Sequence, residues 1–296
     1  MQGTSPVPAS DPTHRLNLAA GFASVAVAVT LVGLKLWALG ATGALSVAAS
    51  LADSALDLVA SLAALLGIRY AAKPPDTDHS FGHTSVEDLV ALGQALIVTA
   101  SAAAIGWSAL GRLGAPRTLA AETAGIAVMF ASVAVTAVLV IWQTRVARRT
   151  GSRIVAADRL HYLSDLWPNL GAIVALWAAA RHGVLWLDPA VALAACAILL
   201  LGARRIGIQA WHALMDRRAD PAQLARIEAV LRNYPGLKGH HDLRTRTAGT
   251  RVFVQVHVEI DGDLPLRDAH AISARLKRDL VAALPEADVI IHQDPV

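Results

Sequence analysis

The sequence predicts an α-helical membrane protein with six transmembrane helices, followed by a small C-terminal α+β domain. Composition gives the first reason. Of 296 residues, 55% are hydrophobic and 17% charged, with a mean hydropathy of +0.48, whereas soluble domains carry about a quarter charged residues. The second is spacing. Apolar stretches at 16–39, 44–69, 88–111, 119–142, 160–180 and 186–210 each approach the ~20 residues that a helix needs to cross the hydrocarbon core. The third is the return of charge after residue 214, where Arg217, Arg218, Asp220, Arg226, Glu228 and Arg232 open a segment of ordinary soluble character.

Residues 1–14 are rich in Pro, Ser and Ala and read as a disordered tail. They form no basic region before a short apolar stretch, so no cleaved signal peptide is expected. The membrane domain then covers 15–214. Its connections are short apart from the loop around 71–86. Thr84-x-x-Glu87 has the pattern of a capping box opening the third helix. Pro168 falls inside the fifth span and predicts a kink there. Asp188-Pro189 reads as an N-cap followed by Pro at the first position of the sixth helix.

Residues 215–296 read as helix, strand, strand, helix, strand. The segment 221–233 has apolar residues at helical spacing and stops before Pro235-Gly236. A strand at HDLRTRTAG ends in a glycine turn, and RVFVQVHVEI follows with period two. Val252, Val254, Val256, Val258 and Ile260 share one face there, and Phe253, Gln255, His257 and Glu259 the other. A helix at 266–283 and a last strand at ADVIIHQ complete an αββαβ order, ferredoxin-like or metallochaperone-like. A three-stranded sheet covered on one face by two helices accounts for it. His257 would lie on the open face.

Net charge is only +3, so its placement is more informative than its sum. With both termini in the cytoplasm, the inner flanks hold Arg15, Arg69, Lys73, Arg145, Arg148, Arg149, Arg153, Arg204, Arg205, Arg217 and Arg218. The outer loops keep Arg112, Arg117 and Arg181, in accord with the positive-inside rule. Arginines at membrane borders give no support to a nucleic-acid partner. The single cysteine, Cys196, lies inside the last span as a small apolar packing residue, and one cysteine forms no intrachain disulfide.

Away from the helix ends, four ionisable residues stand in the predicted spans: Asp53 and Asp57 in the second, His161 and Asp165 in the fifth. Ionisable residues at such depth are expensive and mark function by default. Each pair is spaced i, i+4, which puts both side chains on one helix face. Two such faces turned together offer three carboxylates and one imidazole, a shell that suits Zn2+. The bland alternative is mutual hydrogen bonding between the helices. Against it stands the repulsion of three carboxylates unless a cation or protons neutralise them. No HExxH, GxxxxGK[ST] or GxSxG motif is present, so neither hydrolysis nor ATP drive is predicted. The same groups can exchange protons for a dication. In the loop, Asp76, Asp78, His79 and His83 are equal candidates for metal ligands, against the plain alternative of solvated loop side chains.

DxxxD in the second span and HxxxD in the fifth, with six spans and a small α/β tail, resemble the cation diffusion facilitator family. DHSFGH, HDLRTR and the ending VIIHQDP resemble its bacterial zinc/ferrous-iron efflux branch. The resemblance covers about 15–296. It implies a homodimer in the bacterial inner membrane, in contact with lipid, that exports Zn2+, Cd2+ or Fe2+ in exchange for protons by alternating access. The transport site it implies is Asp53, Asp57, His161 and Asp165. It further implies a loop site at Asp76, His79 and His83. A binuclear site at the cytoplasmic dimer interface matches His241, His257, His270, His292 and Asp294, with Gln293 between the last two. His240 has no such match. Close relatives carry a Lys where this sequence has Ser85, paired with an Asp matching Asp216, so Arg217 and Arg218 become candidate partners for Asp216. A membrane-anchored metal sensor that does not transport is the alternative function.

Overall fold

A computed structural model describes residues 12–42, 45–114, 123–182 and 187–296. Six long helices come first: α1 (Pro12–Thr42), α2 (Leu45–Ala71), α3 (Val86–Gly114), α4 (Thr123–Thr150), α5 (Arg153–His182) and α6 (Leu187–Leu214). With 27 to 31 residues each, they are about 40–47 Å long, more than the ~30 Å hydrocarbon core requires. Five carry a described stretch apolar enough to cross a membrane. The exception, α5, has the length but opens with Arg153, Asp158, Arg159, His161 and Asp165, and the side chains of 171–182 are outside the described residues.

The helix ends depart from the sequence pattern in three places. The first helix already starts at Pro12, inside the segment expected to be a disordered tail; residues 1–11 lie outside the described ones. The capping box at Thr84 and Glu87 does not close. The carbonyls of His83, Thr84 and Ser85 accept the first N–H groups of α3, while Glu87 Oε2 is buried without a hydrogen-bond partner. The sixth helix begins at Leu187, ahead of Asp188 and Pro189. The side chains of Asp53, Pro168 and Asp188 are outside the described set.

Alanine makes the bundle close. Ala20 packs with Ala64 and Ile68 between α1 and α2, Ala91 with Ala157 and Ala210 where α3, α5 and α6 meet. Such small residues let helix backbones approach in a membrane. At Gly202 a Cβ would sit 2.8 Å from Leu160 Cδ1, so any larger residue there would have to displace the Leu160 side chain. Large apolar side chains point outward, Trp107 being 81% exposed, as a lipid-facing surface demands.

The contacts divide the chain between Ala210 and Trp211. The second unit contains α7 (Pro221–Leu231), β1 (Gly239–Ala248), β2 (Arg251–Ile260), α8 (Leu266–Ala283) and β3 (Ala287–Pro295). Pro221 opens α7, and Gln223 Oε1 accepts the Asp220 N–H at 3.2 Å. The sheet order is β1-β2-β3, antiparallel between β1 and β2 and parallel between β2 and β3. Gly249, at φ +55°, turns the hairpin. The even-numbered valines of β2 face Ile227 and Leu231 of α7 and Ile272, Leu276 and Leu280 of α8 in one closed core. This core is independent of the membrane helices. In residues 211–296 expressed alone, Leu276→Ala should therefore cost about 2–5 kcal/mol, read as a lower urea midpoint; an unshifted midpoint would place Leu276 outside the core.

Candidate metal centres

In the helical unit, the 3.6-residue period turns Ser54, Asp57 and Ser61 of α2 to one buried face. Across from it, α5 presents Asp158, His161, Tyr162 and Asp165. His161 Nε2 stands 3.1 Å from Asp57 Oδ1, and ligand atoms of Asp57, His161 and Asp165 all lie within 4.8 Å of one another. The two groups are within ion-pair distance, with angles short of good hydrogen-bond geometry. Asp53 belongs to the same helix, one turn earlier, but its side chain is outside the described residues.

The polar face extends beyond the four residues picked out in the sequence. Ser61 Oγ and Tyr162 Oη are 2.8 Å apart, and Tyr162 Oη donates to the Ser24 carbonyl at 2.9 Å. Lys35 Nζ donates to Ser54 Oγ at 2.6 Å. Asp158, one turn before His161, is 2% exposed. It accepts from Ser24 Oγ, from Gln143 Nε2 at 2.7 Å and from Gln94 Nε2 at 3.5 Å. Sequence reasoning passed over Asp158 because hydropathy started the span at residue 160. The 3, 4 spacing of 158, 161 and 165 was the available signal.

The loop between α2 and α3 forms the second cluster, Asp76, His79 and His83. Asp76 Oδ1 accepts the N–H groups of Asp78 and His79, at 3.0 and 2.7 Å. These bonds fix the carboxylate, and the one from His79 is the largest cause holding Asp76 below its ordinary pKa. His79 Nδ1 and His83 Nε2 each lie 3.3 Å from Asp76. His83 is buried, edge-on against Tyr70. Asp78 contributes its backbone to this turn and is not in the cluster.

The third cluster lies on the open sheet face. Register sets His241 opposite His257 and His257 beside His292. A bulge between His241 and Arg244, with Asp242 at φ +48°, interrupts the ladder at this point. Asp294 joins the three rings: its carboxylate is 3.0 Å from His257 Nδ1, 3.1 Å from His241 Nε2 and 3.2 Å from His292 Nε2. His270 is exposed on α8 and belongs to none of the clusters. Gln293 turns to the helix-covered side, where Nε2 donates to Ser273 Oγ at 2.8 Å. His240 faces Glu228 of α7 at 3.8 Å.

The matches to known proteins run along the whole chain. Residues 21–215 match the cation efflux transmembrane domain and residues 219–296 the cytoplasmic domain of cation efflux proteins. This chain belongs to the cation efflux (cation diffusion facilitator) family. The cation-efflux pump FieF of Pectobacterium carotovorum is 41% identical over 282 residues, which is 95% of this chain and 94% of that protein. FieF of Serratia proteamaculans is 40% identical over 95% of this chain and 93% of its own. The metal-bound C-terminal domain of the CzcD transporter from Thermotoga maritima covers 25% of this chain and 87% of its own, at 29% identity and TM-score 0.24.

As a cation efflux protein the chain is a bacterial membrane transporter of metal ions, not an enzyme. Asp216 has Arg246 as a partner, Nη1 to Oδ1 at 3.3 Å, where the sequence had offered Arg217 and Arg218. Both members of this pair lie in the C-terminal unit.

The cytoplasmic cluster of the efflux protein also carries a pH signature. A hydrogen bond from His257 is the largest cause holding the Asp294 carboxyl below the usual range; His292, His257 and His241 add to it against partial desolvation. A depressed pKa means that the carboxylate's contribution to stability is complete above the unfolded value of ~3.9 and is lost as pH falls through the folded value. His257→Ala should move the Asp294 midpoint up toward ~3.9 in a carboxyl-carbon NMR titration. An unmoved midpoint would assign the depression to another group.

Proposed function

We propose that this efflux protein exports Zn2+ from the cytoplasm in exchange for protons, by alternating access around Asp53, Asp57, His161 and Asp165. The observation that carries the reading is the convergence of Asp57, His161 and Asp165 inside the helical unit, with ligand atoms all within 4.8 Å of one another. One imidazole among carboxylates selects Zn2+ and its neighbours over harder ions. The ligands bind metal deprotonated, so loading expels protons and reprotonation helps release.

The protein acts as a homodimer in the inner membrane with both termini cytoplasmic, the orientation favoured by its basic flanks. The loop cluster lies at one end of α2 and tunes transport, since a site there spans no barrier. In the cytoplasmic domain, His241, His257, His292 and Asp294 form an N/O donor set that fits a resident Zn2+. His270, outside that cluster in its own chain, is the ligand we place at the contact between two copies. A sensor that binds metal without transport would need no buried triad.

Two variants test the reading. Asp57→Ala should bring metal uptake by proteoliposomes to background while the protein remains folded and dimeric. Near-normal flux would refute the site. His161→Asp should relax discrimination toward Mn2+ and change the pH dependence of flux between about pH 6 and 8, the range around the reference imidazole pKa. An unchanged metal ranking with an unchanged pH profile would leave the ring without a selective role.

A further inference from the structure

The triad is not the only charge inside the bundle. Lys35 stands in α1 roughly two turns before the helix ends at Thr42. A lysine near a helix end ordinarily extends its stem toward the interface and keeps its ammonium in water. This one does not. Its Nζ crosses to α2 and donates to Ser54 Oγ at 2.6 Å, and Ser54 is only 1% exposed. Ser54 follows Asp53 in sequence and precedes Asp57 by three residues, so the ammonium is bound to the face of α2 that carries the transport ligands. It lies toward the end where α1 and α2 are joined, opposite the 72–85 loop.

We propose that Lys35 is the fixed countercharge of the transport site and sets how readily the site releases its metal. The inference rests on the assignment of Asp53, Asp57, His161 and Asp165 as that site. Three ionised carboxylates carry three negative charges, and a dication cancels two of them. The ammonium cancels the third, so the loaded site is neutral and no proton need stay behind with the metal. When the metal leaves, the ammonium offsets part of the repulsion among the carboxylates. It also repels the bound dication, which weakens binding and speeds departure. In the orientation proposed above, Lys35 lies on the outward side of the ligands, where release takes place.

The test is a comparison of Lys35→Gln, Lys35→Met and Lys35→Arg in proteoliposomes, with Cd2+ as the probe for binding and flux. Binding is measured in a background carrying His83→Ala and His257→Ala, so that it reports the helical site. Both uncharged variants should bind Cd2+ about tenfold more tightly or better, the effect of removing a unit charge several ångströms from a dication at intermediate dielectric. Their maximal flux should fall with KM. Lys35→Arg, which keeps the charge, should keep both near the starting values. Removing an ammonium from a spanning helix eases insertion, so loss of folding is not the expected outcome. Unchanged affinity and flux in Gln and Met would overturn the proposal, as would weaker binding or a defect in Arg equal to theirs. Asp57→Ala, run alongside, separates the two claims. If it retains binding, the site assignment fails; if it abolishes binding while Lys35→Gln changes nothing, only the role of Lys35 fails.

Discussion

Carboxylates drawn toward one point inside an apolar slab lose hydration and repel one another, and most of the polar detail in the helical unit answers that cost. The chain meets it in two ways. Asp158 is a buried carboxylate surrounded by donors from three other helices: Ser24 of α1, Gln94 of α3 and Gln143 of α4. Hydrogen bonds that satisfy a buried acid also fix the groups that make them, so Asp158 ties four helices together. Asp57 is handled otherwise. It meets a histidine ring at 3.1 Å, and among the described residues no amide or hydroxyl locks it. A carboxylate kept for an exchangeable cation, the role proposed for Asp57, has to be left in this second condition.

The position of α5 follows from the same constraint. It packs against α1, α2, α3 and α4, and its residues from Ile154 to Leu166 are largely buried. A helix shielded by other helices can carry arginines, aspartates and a histidine that a lipid-facing helix cannot. Most of its charged residues are gathered in the half from Arg153 to Asp165, while the side chains of 171–182 lie outside the described residues. The alanine contacts and the glycine at 202 serve this arrangement by bringing neighbouring backbones in close enough to exclude lipid from α5.

How much of this the sequence revealed depended on the range of the interactions. The i, i+4 pairs are local, and they pointed to Asp57, His161 and Asp165 before any tertiary contact was known. The alternation in β2 likewise put His257 on the open face and the valines in the core. What required long-range knowledge was missed. Asp158 fell just outside the hydropathy span that started at 160, and its donors come from distant helices. Lys35 was not singled out at all, because its partner Ser54 is on another helix. Thr84 and Glu87 matched a capping box, but the local backbone satisfied the helix start and left Glu87 buried elsewhere. The bulge at Asp242 is a departure from periodicity, which periodicity cannot announce.

The clusters differ in exposure. The side chain of His161 is 7% exposed, whereas those of His79 and His292 are 52% and 63% exposed, with His83 of the loop cluster buried beside His79 at 1%. Ligands at the surface exchange an ion with solvent without moving any helix, so occupancy there follows concentration. Ligands inside the bundle exchange only when helices part, which ties occupancy to conformation. On the reading proposed above, the loop cluster would link these two behaviours. Its ligands occupy the 72–85 connection, which begins where α2 ends, and α2 carries Asp57. An ion drawing Asp76, His79 and His83 together would stiffen the end of that helix. Any motion of α2 that opens or closes the inner site would then be made against a connection whose rigidity reports the metal level outside the bundle.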